Sequence, residues 1–186
     1  MTTVAAAASS AMLQALAADG PHPDHAAKLM LFGRLVGSWD MHGQSFDPSG
    51  AVVREGEGEW HFGWILEGRG VADVIISPAR EGREGGETSK AYDVAVRVYN
   101  PALDAWNVTI SAPIYGVALN LLAREHDDEI WVEGVGPGGG QIRWTFSEIR
   151  GERVRWQGFV ADEVGGSWTR DEEIILTRRP DKAAKL

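Results

Sequence analysis

The chain has no cysteine, which excludes a disulfide framework, thiolate-ligated zinc or iron–sulfur centres and a cysteine nucleophile. No apolar run approaches the roughly 18 residues that a membrane-spanning helix needs. Positive charge is in short supply: Lys and Arg number 18 against 27 Asp and Glu, a formal charge of −9 at pH 7. That balance argues against nucleic acid and against anionic membrane surfaces as partners. Tyrosine is scarce, at 3 residues, whereas Trp reaches 8 and Gly 23. The 186 residues suffice for one ordinary domain, and 44% hydrophobic with 24% charged residues is the mix of a soluble globular chain. With no secretory leader legible, a cytoplasmic setting is expected.

Residues 1–22 read as an Ala-rich, flexible or weakly helical lead without Lys or Arg. Its first 21 residues hold few large apolar side chains and are expected to be dispensable. Gly20-Pro21-His22-Pro23 breaks the lead. Asp24 is the expected N-cap of a short helix whose Leu29, Phe32 and Leu35/Val36 form one apolar stripe. Gly37 suits the C-terminal stop of that helix. The domain proper then runs over 23–180, with 181–186 as a tail.

From residue 38 onward, alternating segments of about ten residues are separated by turn chemistry. Ten are expected: 38–45, 51–62, 64–77, 91–99, 104–112, 115–124, 129–135, 141–149, 152–161 and 166–178. The third splits around Glu67-Gly68-Arg69-Gly70, so that its first piece finishes the second strand. The separators, among them Asp47-Pro48-Ser49-Gly50, Asn100-Pro101, His126-Asp127-Asp128 and Gly165-Gly166, are too short for crossover helices. The polar stretch 79–90 is the one long loop, expected to be mobile. Such a meander exposes two edges unless it closes, which predicts an all-β fold: a closed antiparallel up-and-down barrel of about ten strands behind a short helix. At that strand number the interior is wide enough for a cavity.

Alternation assigns the faces. Trp60, Phe62 and Trp64 share one side of their strand, with Glu55, Glu57, Glu59 and His61 on the other. Ile142, Trp144 and Phe146 oppose Arg143 and Thr145; Val154 and Trp156 oppose Arg153 and Arg155. The indoles fill a core or line a cavity, since each brings area and one N–H. The expected ligand-binding set is Trp60, Phe62, Trp64, Trp106, Tyr115, Trp144 and Trp156.

A short helix running into Gly37-Ser38-Trp39 resembles the Gly-x-Trp start of lipocalins and the wider calycin group. In that group the Trp closes the barrel base under an Arg from the last strand. Arg178 or Arg179 stands where that Arg is expected. The ordered set Gly58-Glu59-Trp60-His61-Phe62-Gly63-Trp64, Gly68-Arg69-Gly70-Val71-Ala72-Asp73-Val74, Arg97-Val98-Tyr99-Asn100-Pro101, Trp106, Ser111-Ala112-Pro113, Trp144-Thr145-Phe146-Ser147 and Gly165-Gly166-Ser167-Trp168 is similar to bacterial lipocalin-like proteins of the DUF1579 type. This resemblance covers about residues 30 to 179. It implies a calycin barrel with a small-molecule pocket and no established reaction.

Several motifs carry less than their letters suggest. Gly134-Val135-Gly136-Pro137-Gly138-Gly139 matches a dinucleotide fingerprint, but a strand follows it instead of a helix and Pro137 removes an amide. It reads as a hairpin loop. Asn107-Val108-Thr109 is a glycosylation triplet without a secretory context. His22-Pro23-Asp24-His25 precedes the barrel, so no metal is expected. Haem is disfavoured because lipocalin-like haem proteins supply a late histidine, and the last here, His126, falls in a turn. No Ser-His-acid arrangement is expected, since only His42 and His61 lie on strands. No cofactor is expected.

Asp73 sits in the apolar run Val71-Ala72-Asp73-Val74-Ile75-Ile76, where a carboxylate needs a partner or a raised pKa. Arg97, with Tyr99 on the same face, is that partner on the next strand. The pair is either a wall salt bridge or an anchor for a ligand carboxylate or phenolate, with Tyr99 donating a second hydrogen bond. His61 can move protons, but its parity turns it outward. Tyr115 and Asn120 lie on opposite faces of one strand, so at most one of them lines the interior. The expected function is binding of a small, largely apolar, aromatic molecule in the barrel. The alternative is a cofactor-independent lyase, isomerase or cyclase using Arg97, Tyr99, Asp73 and His61, and a third reading is a filled barrel that offers only an interaction surface. A small-molecule ligand or substrate is the expected partner, and a homodimer is left open.

Overall fold

The computed structural model describes residues 11–81, 83, 88–161 and 166–180. The expected tail at 181–186, part of the 79–90 loop and Gly165 of the last turn lie outside these residues. One antiparallel sheet contains a two-residue strand, β1 (Ala17–Ala18), and ten long ones. These are β2 (Gly37–Phe46), β3 (Val52–Ile65), β4 (Gly70–Ser77), β5 (Ala91–Asn100), β6 (Ala105–Ala112), β7 (Val117–His126), β8 (Glu129–Val135), β9 (Gln141–Arg150), β10 (Arg153–Ala161) and β11 (Thr169–Arg178). Each long strand pairs with the next in the chain, and β11 returns to β2 from Glu172 opposite Ser45 to Arg178 opposite Trp39. The sheet is thereby a closed ten-stranded barrel with no free long edge.

Turn chemistry sets the hairpins. Asp47 Oδ1 accepts from the Ser49 and Ala51 amides at 2.8 and 3.0 Å, which folds the chain back between β2 and β3. Trp64 and Ile65 complete β3 as expected, and Gly68, at φ +80°, turns the chain into β4. A side chain at Gly68 would collide with the Gly20 carbonyl, because the lead crosses there. Residues 11–16 are helical, Ala17 and Ala18 pair with Ile65 and Trp64, and the His22 amide donates to the Gly68 carbonyl at 3.0 Å. The expected lead therefore docks on the end of β3 over residues 16–22.

Local details differ from the sequence expectations. The helix α1 spans Ala26–Gly33, and its N-cap is His25 at φ 64° with no side-chain cap, not Asp24. Gly37 begins β2 instead of stopping the helix; its φ of +134° and the Arg178 guanidinium at its Cβ position explain the glycine. β7 starts at Val117, which leaves Tyr115 in the preceding turn. β11 starts at Thr169 rather than 166, and His126 ends β7 instead of lying in the turn.

The apolar stripe of α1 seals one end of the barrel. Leu29, Phe32 and Leu35 are buried, with Phe32 edge-on to Trp106 at 5.0 Å and to Phe146 at 6.2 Å. Trp39 is fully buried beneath this plug and donates from Nε1 to the Leu35 carbonyl at 2.8 Å. Arg178 lies across its ring, as the calycin resemblance implies. Arg179 turns the other way, to Asp40 and Glu59 on the outer wall.

Candidate functional site

The opposite half of the barrel is hollow. Small inward residues make the space: Gly43 and Gly56 face each other across β2 and β3, and Ala95 and Ala112 extend the gap. The cavity measures about 710 Å³, within the range of small-molecule sites. Trp60, Trp144 and Trp156 line it together with Ile75, Ile110 and Leu119. Trp144 and Trp156 lie 5.8 Å apart and Trp60 and Trp156 6.3 Å apart, so the three indoles form one aromatic wall.

At the floor of this space Asp73 and Arg97 are in direct contact, each only 3% exposed. Asp73 opposes Ala95 in the β4–β5 register and Arg97 opposes Val71, so the pair is diagonal across the two strands. Trp60 Nε1 donates to Asp73 Oδ1 at 2.7 Å. The Arg97 guanidinium stands 5.0 Å from the Phe32 ring centroid and 5.7 Å from that of Phe62, aromatic faces that favour a cation. Burial pushes the Arg97 pKa down to about 9. The Asp73 carboxylate acts in the opposite direction and keeps the guanidinium charged. Arg97 Nε is buried and has no hydrogen-bond partner among the described residues.

Higher in the cavity stand three more carboxylates, two of them on faces that alternation sets inward. Asp93 follows the inward parity of Ala95 and Arg97. Glu172 follows the inward parity of Ile174 and Leu176, and Asp171 joins it because the β10–β11 register shifts between Gly158 and Phe159. Such a bulge turns two successive residues toward one face. Burial pushes the carboxyls of Asp93, Asp171 and Glu172 up, and for Glu172 the neighbouring Asp171 charge adds to it.

The other expected site residues lie elsewhere. Tyr99 shares the Arg97 face but sits at the sealed end, where its hydroxyl donates to Asp104 at 2.6 Å, so it supplies no hydrogen bond to the cavity. Trp106 packs under α1, and Trp64 packs beside Gly33 of that helix. Phe62 is buried in the core against Trp60 and Phe146, one step toward the base. Tyr115 stands at the mouth, its hydroxyl donating to the Lys90 carbonyl at 2.7 Å. Asn120 faces outward and accepts from Thr109 at 3.0 Å.

His61 is on the outer wall, as its parity requires. There its Nδ1 lies 2.9 Å from Ser38 Oγ and its Nε2 2.9 Å from Glu59 Oε2. A Ser-His-acid chain therefore does exist, contrary to the sequence expectation, because the β2–β3 register sets Ser38 opposite His61. Its carboxylate is committed elsewhere. Burial alone would raise the Glu59 pKa, but hydrogen bonds from the Arg80 side chain and amide and from His61 hold it well below the usual carboxylate range. Arg179 Nη1 adds another at 2.9 Å. Among the described residues no group of three or more His, Asp or Glu is arranged to hold a metal ion.

The closed antiparallel barrel, its helical plug and the Trp39–Arg178 stack define a calycin-like, lipocalin-like fold with an internal cavity. Solved structures agree. The chain is similar to Rv2717c from M. tuberculosis, with 16% identity and a TM-score of 0.57 over 86% of this chain and 99% of that one. It is also similar to the S-type phycobiliprotein lyase CPES from Guillardia theta, with 10% identity and a TM-score of 0.57 over 82% and 93% of the two chains. At these identities the likeness is one of fold. No family model and no curated protein matches the chain.

Proposed function

We propose that this protein binds a small, largely apolar, aromatic molecule inside the barrel. The observation that supports this reading is the joining of three indoles and a buried Arg97–Asp73 pair around one space of about 710 Å³. A cavity that served only packing would have no use for an ion pair with an unpartnered donor. Because Asp73 already neutralises Arg97, the ligand group received at the Arg97 guanidinium is a neutral acceptor such as a carbonyl oxygen, in place of the carboxylate or phenolate expected from sequence. The ordered motifs favour placing the chain beside the DUF1579-type proteins, in a cytoplasmic setting.

Native mass spectrometry of the protein exposed to a cell extract tests the reading. A discrete small-molecule adduct is expected on the wild type, and it should vanish in Ala95→Phe, whose side chain would fill the cavity. An adduct unaffected by that substitution, or none at all, would overturn it.

A second reading, a cofactor-independent lyase or isomerase, draws support from the raised carboxyls of Asp93 and Glu172 in the same cavity. A carboxyl shifted upward takes up and releases a proton more readily than an ordinary surface carboxylate. Of the proton carriers named from sequence, only Asp73 reaches this space. Turnover of the captured compound, abolished in Asp93→Asn or Glu172→Gln, would decide for this reading.

A further inference from the structure

The ligand-binding reading above leaves open which charge the ligand carries, and the upper cavity bears on that. Among the described residues lining the cavity, six are acidic and three are cationic. Of those three, Arg97 is held by Asp73, while Arg54, whose charge also acts on Glu172, and Lys90 are exposed to solvent. Asp93 Oδ1 is buried with no hydrogen-bond partner among the described residues. Asp171 fills the space left by the missing side chain of Gly158, with Oδ1 2.9 Å from where a Cβ would stand. An anionic ligand would meet these carboxylates on its way to a guanidinium that is already neutralised. A cation would meet the inward carboxylates of Asp93, Asp171 and Glu172 and three indole faces.

Distance along the sheet gives the ligand its length. Asp93 and Arg97 lie four residues apart on one face of β5, which at roughly 3.3 Å per residue is about 13 Å. The Arg97 guanidinium at the floor and the Asp93 carboxylate higher up both line the cavity, and each keeps one buried atom, Nε and Oδ1, without a partner among the described residues. The apolar wall of Trp60, Trp144 and Trp156 belongs to the same cavity.

We infer that the cavity selects an elongated aromatic cation, which sets a hydrogen-bond acceptor on Arg97 at the floor and a protonated amine beside Asp93, Asp171 and Glu172. The class is that of aryl compounds with a carbonyl or sulfonyl group at one end and a primary or secondary amine at the other. Recognition of the amine is by charge and by cation–π contact, and recognition of the other end is by one hydrogen bond from a buried donor.

Three fluorescent probes with a common aromatic sulfonamide body test this. Dansylcadaverine ends in an ammonium, its N-acetyl derivative is neutral at that end, and dansyl-6-aminohexanoate ends in a carboxylate. Titrated at neutral pH and moderate salt, dansylcadaverine is expected to bind at least tenfold tighter than the carboxylate, with the acetyl derivative between them. In Asp93→Asn, and separately in Glu172→Gln, the ratio of cation to anion affinity is expected to fall at least fivefold, with folding checked by thermal melting. Equal affinities for the three probes, or a tighter carboxylate, would overturn the inference and leave ligand binding standing. A cation preference unchanged in both variants would also overturn it, since the selectivity would then arise outside the cavity. Absence of any emission change with all three probes would remove the binding reading and this inference with it.

Discussion

Arg178 lies with its guanidinium carbon 4.1 Å from the centroid of the Trp39 ring, directly opposite Trp39 in the β11–β2 pairing. The same guanidinium donates to the Val36 and Gly151 carbonyls, each at 3.0 Å. One side chain thus joins the first and last long strands, the chain leaving α1 and the β9–β10 turn. Trp39→Ala is expected to destabilise the protein by roughly 3–5 kcal/mol, the range for deleting a buried aromatic. Arg178→Ala is expected to cost less, because only the stack and two hydrogen bonds are lost. Urea denaturation of both variants measures the order, and a near-neutral Trp39→Ala would remove the base stack as a stability element.

Breaking the buried pair from one side leaves the other charge uncompensated. Arg97→Leu is expected to destabilise by about 3–5 kcal/mol, as for other buried pairs that lose one member. The double variant Asp73→Leu/Arg97→Leu is expected to be more stable than Arg97→Leu, since two apolar side chains remove the stranded carboxylate. Denaturation midpoints of the two proteins decide the matter. A double variant less stable than the single would show that the Trp60–Asp73 hydrogen bond outweighs the stranded charge.

Tyr99→Phe and His61→Ala are expected to leave dansylcadaverine affinity unchanged, because Tyr99 bonds to Asp104 at the sealed end and His61 faces the outer wall. A fluorescence titration that shows more than a threefold loss in either would place that side chain in the binding path.

Acid stability follows from Glu59. Its folded pKa is depressed, so its contribution is full above the unfolded carboxyl value of about 4.3 and is lost as the pH falls below it. Asp93 and Glu172 have raised folded values, so they act with the opposite sign: their contribution is present at low pH and lost as the pH rises through the folded value. Melting curves between pH 3 and 8 are expected to show a weaker acid-side loss in Glu59→Gln. In Glu172→Gln they are expected to show a gain confined to the neutral side. A Glu59→Gln curve parallel to that of the wild type would disprove the linkage.

Removal of residues 1–22 is expected to lower the melting temperature by about 5–10 °C, at roughly 2–4 °C per kcal/mol for a chain of this size. The deletion takes away the β1–β3 pairing, the Leu66–Leu16 and His22–Gly68 backbone bonds and the packing of Ala18 on the core. The sequence expectation of a dispensable lead corresponds to a shift of a few degrees at most, so differential scanning calorimetry separates the two.

Much of this was legible in the chain. Period-two alternation placed Trp60, Trp144 and Trp156 on one side of their strands, and short polar separators left no room for crossover helices. The base stack of Trp39 and a late Arg was implied by the calycin resemblance. The alternation and the separators are local: each depends on the pleat of one strand or on the chemistry of one turn. What the tertiary structure decided depends on partners distant in sequence. Ser38, Glu59 and His61 meet only because β2 and β3 pair in one register, and Arg80 and Arg179 arrive there from other parts of the chain. Tyr99 has the parity of Arg97 yet lies beyond the cavity, because α1 plugs that end of the barrel. Asp171 enters the interior beside Glu172 through a register shift that strict alternation does not contain. A strand's own sequence sets which residues share a face; closure, bulges and the plug set which part of that face encloses empty space, and these arise only when the whole barrel buries its apolar surface together.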